Sequence, residues 1–387
     1  MILSRGNMKI AFDVSPMIDS HKSGVGYCTY GFVKTMVSQY DNSYILNYIN
    51  KPKYKKNLNT LIVGKKVKIN SFCFKNSVYK VASTFLPIPY GAFFKDSADI
   101  THFFNYYLPP GVNGKKIVTV HDMTYKRFPE TVRFKTKQML NLNLKKSLKR
   151  ADIILTVSEF SKSEIITYFP EVKDKIRVVY NGVDLDVFKP LLDENIKISI
   201  AKKYNLPERY MLYLGTLEPR KNLERLIDSY YLLLKEFDDV PKLVLAGGKG
   251  WLYDSIFDKV STLWLEDKII FTGYVAEKDV APLISGAEVF LFPSMYEGFG
   301  MPVIEAMACG VPVLTSNVSS LPEVAGDAAV LVDPFSVEDI KNKLKLLLID
   351  EALRKRLNKA GLKRAKRFSW DVVTKDLYEI YKELAEK

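Results

Sequence analysis

The sequence predicts an α/β protein with two doubly wound, parallel-sheet domains of the Rossmann type that face each other across a cleft. Buried strands alternate with helices along the chain, as in parallel sheets with crossover helices. The alternation starts near Lys9 and starts again near Tyr210, and 387 residues favour two domains over one. We place an N-terminal domain at 8–186 and a C-terminal domain at 187–369. A last helix at 370–387 is expected to pack back on the first domain.

The first domain opens with a strand, a glycine turn and a helix. Lys9 begins the strand, and Ser23 leads through Gly24 and Gly26 into a helical pattern that runs to Val37. Nucleotide-binding α/β units begin in this way. The two glycines either let the chain turn onto its helix or let a ligand approach the backbone closely.

Further strands are predicted at 43–76, around a lysine-rich loop, and then at 98–104, 116–120 and 152–157. His121 follows the 116–120 strand directly, at the carboxyl end where open α/β sheets bind ligands. The alternative for His121 is a structural hydrogen bond. Ser158 is predicted as the N-cap of the next helix.

A basic helix is predicted at 131–150. Its apolar face would consist of five side chains, Met139, Leu140, Leu142, Leu144 and Leu148. The helix either covers the sheet or also contacts an anionic membrane surface. After a strand at 176–180, the Asn181-Gly182 pair signals a turn, and the loop that follows is the best domain boundary.

The second domain repeats the pattern, with strands at 210–215, 243–248, 269–273 and 287–292. Arg220, Lys221 and Asn222 are predicted to open a long helix that runs to about Phe237. Two adjacent cations beyond a strand end suit an anion, and arginine suits bidentate phosphate contact. A solvated surface pair is the alternative.

The second domain is organised around residues 294–312, which follow the 287–292 strand. A glycine-bearing loop leads to a short helix that starts at Pro302 and ends at Gly310. Such a unit directs free N–H groups and the positive end of a helix dipole at an anion. Glu297 and Glu305 flank that point. Carboxylates repel phosphate, so we expect the two glutamates to bind hydroxyl groups instead. A diphosphate at the anion site with hydroxyl groups on both sides of it corresponds to a nucleotide sugar.

Charge is distributed unevenly between the two halves. The whole chain has a formal net charge of +13. Residues 1–186 contain 29 Lys and Arg and 14 Asp and Glu, whereas the rest of the chain is nearly neutral. The excess is either a solubilising surface or a site for an anionic partner such as membrane headgroups. No helix-turn-helix or RNP-like signal accompanies it, so we expect no nucleic-acid binding.

The cysteines, the apolar runs and the histidines indicate the cellular compartment and the kinds of site that the sequence allows. The three cysteines are scattered, which favours a reducing compartment and a cytoplasmic protein. No apolar run reaches the length of a membrane span. The first seven residues lack a signal-peptide core. We leave them out of the predicted fold and regard Met8 as a possible start. With only His21, His102 and His121 and no D-x-D among apolar residues, no metal site is expected.

On these motifs the chain resembles the family-4 retaining glycosyltransferases of the GT-B fold. The resemblance covers nearly the whole sequence. Its motifs lie at 24–27, 121–122, 157–161, 181–184, 215–222 and 293–312. The motif at 293–312 is the most specific of them. It implies transfer of a hexose with retention of configuration, without a metal or other cofactor.

The resemblance also implies site roles. Arg220 and Lys221 would hold the donor diphosphate, His121 would contact the sugar near its reacting face, and Glu297 would bind the hydroxyls of that sugar. His121, Arg220, Lys221 and Glu297 are thus the catalytic candidates. The remaining donor-site candidates are Gly24, Gly26, Gly215, Tyr274, Val275, Phe299, Gly300, Met301, Val303, Ile304 and Glu305. Among them, Glu305 would bind the ribose diol and the backbone at Tyr274 the base.

The donor and acceptor stay open. The motifs at 13–27 and 121–130 resemble bacterial mannosyl- and rhamnosyltransferases of surface polysaccharides, such as lipopolysaccharide. That favours GDP-mannose, with UDP-glucose or UDP-N-acetylglucosamine as the alternative donors and a sugar-nucleotide epimerase as the alternative enzyme. The acceptor would be a glycan or lipid-linked glycan, bound by the basic N-terminal domain at the cytoplasmic face of a membrane.

Overall fold

A computed structural model describes residues 7–18, 23–50, 58, 61, 66–86, 88–191 and 193–386. The predictions for His21, the lysines at 51–56 and Lys65 lie outside these residues. The chain divides into two compact units. The first contains residues 1–123, 134–182 and 370–387, and the second contains residues 124–133 and 183–369.

The first unit is built on a seven-stranded, all-parallel sheet. Its strands follow the spatial order β3-β2-β1-β4-β5-β6-β7. They are β1 (Lys9–Asp13), β2 (Ser43–Ile49), β3 (Val67–Phe72), β4 (Ile100–Phe103), β5 (Lys115–Val120), β6 (Ile153–Thr156) and β7 (Ile176–Val178). Its helices are α1 (Gly24–Gln39), α2 (Asn76–Phe85), α4 (Phe134–Arg150), α5 (Glu159–Tyr168) and α14 (Trp370–Glu386), while α3 (Thr124–Arg127) belongs to the second unit.

The second unit has a six-stranded parallel sheet in the order β10-β9-β8-β11-β12-β13. Its strands are β8 (Tyr210–Leu214), β9 (Lys242–Ala246), β10 (Ile269–Gly273), β11 (Val289–Phe292), β12 (Val313–Ser316) and β13 (Ala329–Val332). Its longer helices are α6 (Glu194–Tyr204), α7 (Leu223–Glu236), α8 (Asp254–Thr262), α9 (Glu277–Ser285), α10 (Met301–Ala308), α12 (Val337–Ile349) and α13 (Glu351–Ala365), with a short α11 (Leu321–Ala325). The predicted α/β class with two Rossmann-like sheets is confirmed.

Helix α14 belongs to the core of the first unit. Val373, Leu377, Tyr381 and Leu384 are at most 5% exposed and form part of one buried cluster with strand β1. The would-be Cβ of Gly31 on α1 lies 2.2 Å from the Trp370 ring. Glycine at position 31 therefore lets the two helices pack closely.

Two boundaries differ from the sequence-based ones. Along the chain, the first unit ends at Gly182 and the second begins at Val183, whereas the predicted boundary follows residue 186. Residues 124–133 belong to the second unit. Phe128 lies 5.5 Å from the ring of Tyr296 there, centroid to centroid. A local sequence pattern does not contain such a long-range contact, since it depends on where distant side chains meet.

The buried face of the basic helix α4 includes Leu144 and Leu148, as predicted, but differs from the prediction in its other members. Asn143, Leu144, Ser147 and Leu148 are buried, while Leu142 is 42% exposed. Two polar side chains can be buried here because both find partners: Asn143 accepts a hydrogen bond from the Thr84 hydroxyl at 2.9 Å, and the Ser147 hydroxyl donates to the Asn143 carbonyl at 3.0 Å. Across the described ranges, no helix has the length and apolar character needed to cross a membrane.

Candidate active site

The candidate site of the second unit lies where the strand order reverses. From β8 the chain builds outward through β9 and β10, and then returns to the other side of β8 with β11. The loops that leave the carboxyl ends of β8 and β11 diverge at this switch point, and open α/β sheets bind ligands there. The first loop carries Arg220 and Lys221, and the second carries Glu297.

The sequence predicted that Arg220 and Lys221 open the long helix, but in the structure they do not. They lie in a separate 3₁₀ turn, Pro219–Lys221, and α7 starts only at Leu223. Asn222 lies between the 3₁₀ turn and α7, and its backbone is in the left-handed region, with φ of 62°. Asparagine tolerates this conformation better than most residues. The side-chain amide of Asn222 donates to the carbonyls of Pro293, at 3.1 Å, and Pro334, at 2.6 Å. Asn222 thus joins the two loops, a role that the sequence did not indicate.

The two cations are paired with carboxylates. Lys221 Nζ lies 2.5 Å from Glu297 Oε1, and Arg220 Nη1 lies 3.0 Å from Glu297 Oε2. Arg220 Nη2 also pairs with Glu218 Oε1 at 2.7 Å. In this structure Glu297 pairs with both cations, and its contact with the hydroxyl groups of a sugar stays a prediction. Opposite charges at such short range satisfy each other when no ligand is bound.

The cluster is largely buried, with side-chain exposure of 11% for both Lys221 and Glu297 and 16% for Arg220. Burial acts to raise the pKa of Glu297, but the charges of Arg220 and Lys221 outweigh it and hold the pKa at about 2. Glu297 is therefore ionised throughout the neutral range. Lys221 Nζ also lies 4.9 Å from the centroid of the Phe292 ring, within the range of a cation–π contact.

Two serines hold the loop that carries Glu297. The Glu297 N–H donates to Ser319 Oγ at 3.1 Å, and the Ser320 hydroxyl donates to the carbonyls of Glu297 and Phe299, each at 2.9 Å. Sequence reasoning missed both serines and Glu218. The serines follow another strand, β12, and only the parallel pairing of β11 with β12 brings them to this loop.

Helix α10 starts at Met301, without a side-chain cap, after Gly300 at φ of 107°. A Cβ at Gly300 would also lie 2.7 Å from Leu321. Phe299 is 3% exposed and Val303 and Ile304 are fully buried. The Val303 N–H already donates to the Gly300 carbonyl at 3.0 Å, so a phosphate contact from this amide would require that bond to break. The predicted Ile304 contact stays a prediction.

Glu305 is the second carboxylate of the site. Among the residues that the structure describes, its carboxyl group has no hydrogen bond or ion pair. Burial raises its pKa to about 7. A half-buried acceptor without a protein partner is suited to bind ligand hydroxyls.

The other predicted donor-site positions in this unit differ in their surroundings. Gly215 packs against Gly247, whose would-be Cβ lies 1.9 Å from the Gly215 carbonyl oxygen, so glycine at 247 has a packing reason. After β10, Tyr274 is 59% exposed and Val275 is 6% exposed. The contact of their backbone with the base of the nucleotide stays a prediction.

Three predicted residues lie in the first unit. The His121 Nε2 faces the Phe104 carbonyl at 2.8 Å, which assigns the ring proton to Nε2 and leaves Nδ1 as an acceptor. Burial lowers the pKa of His121, so the ring is neutral at pH 7. Gly24 and Gly26 lie in the first turn of α1 rather than in a turn before it, and Ser23 caps that helix by accepting from the Gly26 N–H at 3.4 Å.

The would-be Cβ of Gly24 meets no atom within 4 Å, and Gly24 is not among the glycines with positive φ. Neither packing nor backbone conformation in the described residues therefore requires glycine at this position. In these residues, no three His, Cys, Asp or Glu side chains come together as a metal-ligand set.

Two Rossmann-like units, with a buried cation–carboxylate cluster at the switch point of the second, define a two-domain α/β protein of GT-B type. Comparison with known proteins specifies the family. The model of the family "Glycosyltransferase Family 4" matches residues 37–187, and that of "Glycosyl transferases group 1" matches residues 196–364.

The chain is 38% identical over 284 residues to O-antigen chain mannosyltransferase B of Escherichia coli, covering 73% of this chain and 74% of that protein. It is 34% identical over 234 residues to the serotype-specific mannosyltransferase WbdA of Escherichia coli, covering 59% of this chain but only 28% of WbdA. The crystal structure of Anabaena HepE with UDP and glucose superposes with a TM-score of 0.73 over 97% of this chain and 100% of HepE, at 16% identity. The chain therefore belongs to the group 1 and family 4 glycosyltransferases and is a hexosyltransferase.

Proposed function

We propose that this protein is a retaining, metal-independent mannosyltransferase that moves mannose from GDP-mannose to a glycan or lipid-linked glycan acceptor. The observation that carries the proposal is the cluster of Arg220, Lys221 and Glu297 at the switch point of the second sheet. The names of the two Escherichia coli relatives, both mannosyltransferases, support mannose as the transferred sugar.

Donor binding would exchange the partners within this cluster. A diphosphate offers the two cations more negative charge than Glu297 does, and arginine binds phosphate oxygens in bidentate fashion. Glu297 is ionised, so once released from the cations it accepts hydrogen bonds from the hydroxyls of the transferred sugar. Glu305, which has no partner in the described residues, would accept hydrogen bonds from the ribose diol.

The chemical step would proceed on one face of the sugar. The bond from the anomeric carbon to the diphosphate oxygen breaks, and its electron pair leaves with the diphosphate. The acceptor hydroxyl attacks from the same face and passes its proton to the departing phosphate oxygen, so that configuration is retained. Arg220 and Lys221 stabilise the negative charge that develops on the leaving group. Because these two side chains supply the positive charge, we propose that no metal is needed.

We also propose that the protein works at the cytoplasmic face of a membrane, bound peripherally to anionic lipid. The positive charge of residues 1–186 supports this proposal. A second support is the row of exposed apolar side chains along β3 and α2, with Phe85 71% exposed and Leu86 60% exposed. Charge and apolar surface together are what a membrane-surface contact needs.

A thermal-shift panel of nucleotides and nucleotide sugars tests the donor assignment. A ligand that binds only the native state raises the melting temperature in proportion to the logarithm of its excess over Kd. We expect shifts with GDP and GDP-mannose, and none with UDP or UDP-glucose. A shift with the UDP compounds alone would refute GDP-mannose. Release of GDP without acceptor at the full turnover rate would refute transfer as the main activity.

A further inference from the structure

The first unit contains a polar cavity of its own. It has a volume of about 240 Å³, and we call it the Asp13 pocket. Its polar lining includes Asp13, Ser15, Tyr79, Lys80, Tyr90 and Asn105. Asp13 ends β1 and Asn105 follows β4. Because the order of the first sheet reverses between β1 and β4, the pocket lies at the switch point of that sheet, where such sheets bind ligands.

Two polar atoms of this lining are buried without a hydrogen-bond partner in the part of the chain that the structure describes. They are the Tyr79 hydroxyl and Asn105 Oδ1. Tyr79 is only 3% exposed. Buried polar groups are nearly always paired, and two orphans around one cavity indicate a polar occupant.

The rest of the lining defines what kind of occupant fits. The Asp13 carboxylate accepts from the Ser15 N–H at 3.2 Å and from the Tyr90 hydroxyl at 3.3 Å. Burial raises the pKa of Asp13, and the charge of nearby Lys80 opposes that effect. One carboxylate and one ammonium group balance each other, so the pocket selects neither an anion nor a cation.

The pocket is lined both by hydrogen-bond donors and acceptors and by aromatic rings, among them those of Tyr90 and Phe103, whose centroids lie 5.1 Å apart. A sugar ring has hydroxyls that both donate and accept, together with apolar C–H surfaces that suit aromatic rings. A phosphate would face the Asp13 carboxylate, and an apolar ligand would leave the Tyr79 hydroxyl and Asn105 Oδ1 unpaired.

We propose that the Asp13 pocket binds a neutral sugar ring of the acceptor, so that the acceptor is a glycan and is recognised through its sugar rather than through a phosphate. In this arrangement Asp13 and Asn105 accept hydrogen bonds from ring hydroxyls, and Tyr79 and Lys80 donate to them. The inference rests on the proposed function, since the nucleotide sugar is assigned to the second unit and a transferase needs a second hydroxylic substrate.

The substitution Tyr79→Phe tests the proposal with little disturbance of the fold, because the hydroxyl that it removes has no protein partner. The matched control is Thr374→Val on α14, which removes another fully buried hydroxyl without a partner outside the pocket lining. The probes are methyl α-mannoside, methyl α-glucoside and inorganic phosphate, with binding followed by saturation-transfer NMR on the full chain.

We expect a neutral glycoside to bind the wild type and Thr374→Val alike, and to bind Tyr79→Phe about fivefold to tenfold more weakly, the effect of one lost hydrogen bond. Equal binding to all three proteins, no binding of either glycoside to the wild type, or displacement of the glycoside by phosphate would overturn the proposal. GDP-mannose binding, measured by thermal shift on the same proteins, is a separate readout. If the wild type does not bind GDP-mannose, the proposed function is refuted. If the wild type binds GDP-mannose but neither glycoside, only the proposed role of the Asp13 pocket is refuted.

Discussion

The carboxylate of Glu297 lies 2.5 Å from Lys221 Nζ, so that an ion pair joins the loop after β11 to the loop after β8. Arg220 completes the cluster at 3.0 Å. The three side chains that we assign to donor binding are therefore satisfied by one another before any ligand arrives. Donor binding has to exchange these partners, which makes the cluster sensitive to the charge of each member.

Replacing Glu297 with glutamine should destabilise the free protein and increase its response to nucleotide. Removing one member of a buried ion pair costs about 3–5 kcal/mol, because the other charges lose their partner. GDP would restore a counter-charge, so its thermal shift should be larger in Glu297→Gln than in the wild type. The control is Glu288→Gln, whose partner Arg209 is 47% exposed, and little change is expected there. Equal GDP shifts in wild type and Glu297→Gln would contradict the exchange of partners.

Glu305 should make stability depend on pH above neutrality. Its pKa is raised from the ordinary 4.5 to about 7. Its contribution is thus fully present below pH 4.5 and is lost as pH rises through 7, when the half-buried carboxyl must ionise. Glu305→Gln should gain up to about 3 kcal/mol over the wild type at pH 8.5 and almost nothing at pH 4.5.

Urea unfolding of both proteins at the two pH values measures this difference. The same variant should bind donor more weakly, because the glutamine amide accepts fewer hydrogen bonds from a diol. A constant stability difference at both pH values would show that the carboxyl does not titrate as proposed.

His102 should cause a loss of stability in acid. It lies buried in the first unit, with Nδ1 at 2.6 Å from the Tyr381 hydroxyl of α14 and Nε2 at 2.8 Å from Thr119 Oγ1. Burial lowers its pKa to about 3. The ring is neutral in the native state, and its contribution is present above the unfolded-state pKa of about 6.5 and declines as pH falls towards 3.

Between pH 7.5 and pH 5 this group should account for a loss of about 2 kcal/mol in the free energy of unfolding. In His102→Gln that part of the pH dependence should disappear, although the variant is less stable at every pH. Denaturant unfolding at several pH values measures the slope, and an unchanged slope would argue against His102 as its source.

Gly24→Ala should separate function from folding. A Cβ at position 24 meets nothing within 4 Å, and alanine is the better helix former, so stability should stay the same or rise by less than about 1 kcal/mol. If the donor approaches this backbone, as the sequence predicts, transfer should fall and KM for the donor should rise. Gly31→Ala is the contrasting variant, since its Cβ would lie 2.2 Å from the Trp370 ring and should destabilise by about 1–3 kcal/mol. Unchanged kinetics in Gly24→Ala would remove this residue from the donor site.

Flotation with anionic liposomes tests the membrane proposal. We expect the protein to float with the vesicles at low salt and to be released at high salt, because exposed charges are screened. The double substitution Phe85→Ser and Leu86→Ser should weaken binding at least about tenfold, since burying one such side chain is worth about 1.5–3 kcal/mol. Trp264→Ser removes an 87% exposed aromatic ring from the second unit and should have no effect. Salt-independent recovery in the unbound fraction would refute the proposal.

Strand and helix positions were predictable because they depend on local periodicity and on turn residues. The β1, β5 and β11 strands fall where continuous apolar runs place them, and Ser158 caps α5 by accepting from the Ser161 N–H at 2.9 Å. Arg220, Lys221 and Glu297 were recognisable because they lie in loops that follow a strand end, where a parallel sheet gathers its ligand-binding loops. Glu305 was recognisable because it lies on α10, the short helix that follows the Glu297 loop.

The sequence by itself determined the two-domain α/β class, the family and the position of the cation–carboxylate stretch, since short-range patterns and motifs carry all three. Only the tertiary structure decided that Glu297 pairs with both cations, that Ser319 and Ser320 hold its loop, and that Asp13, Tyr79 and Asn105 line one pocket. Those relationships join residues tens of positions apart on different loops. They depend on the order in which strands pair within a sheet, and no local pattern of residues records that order.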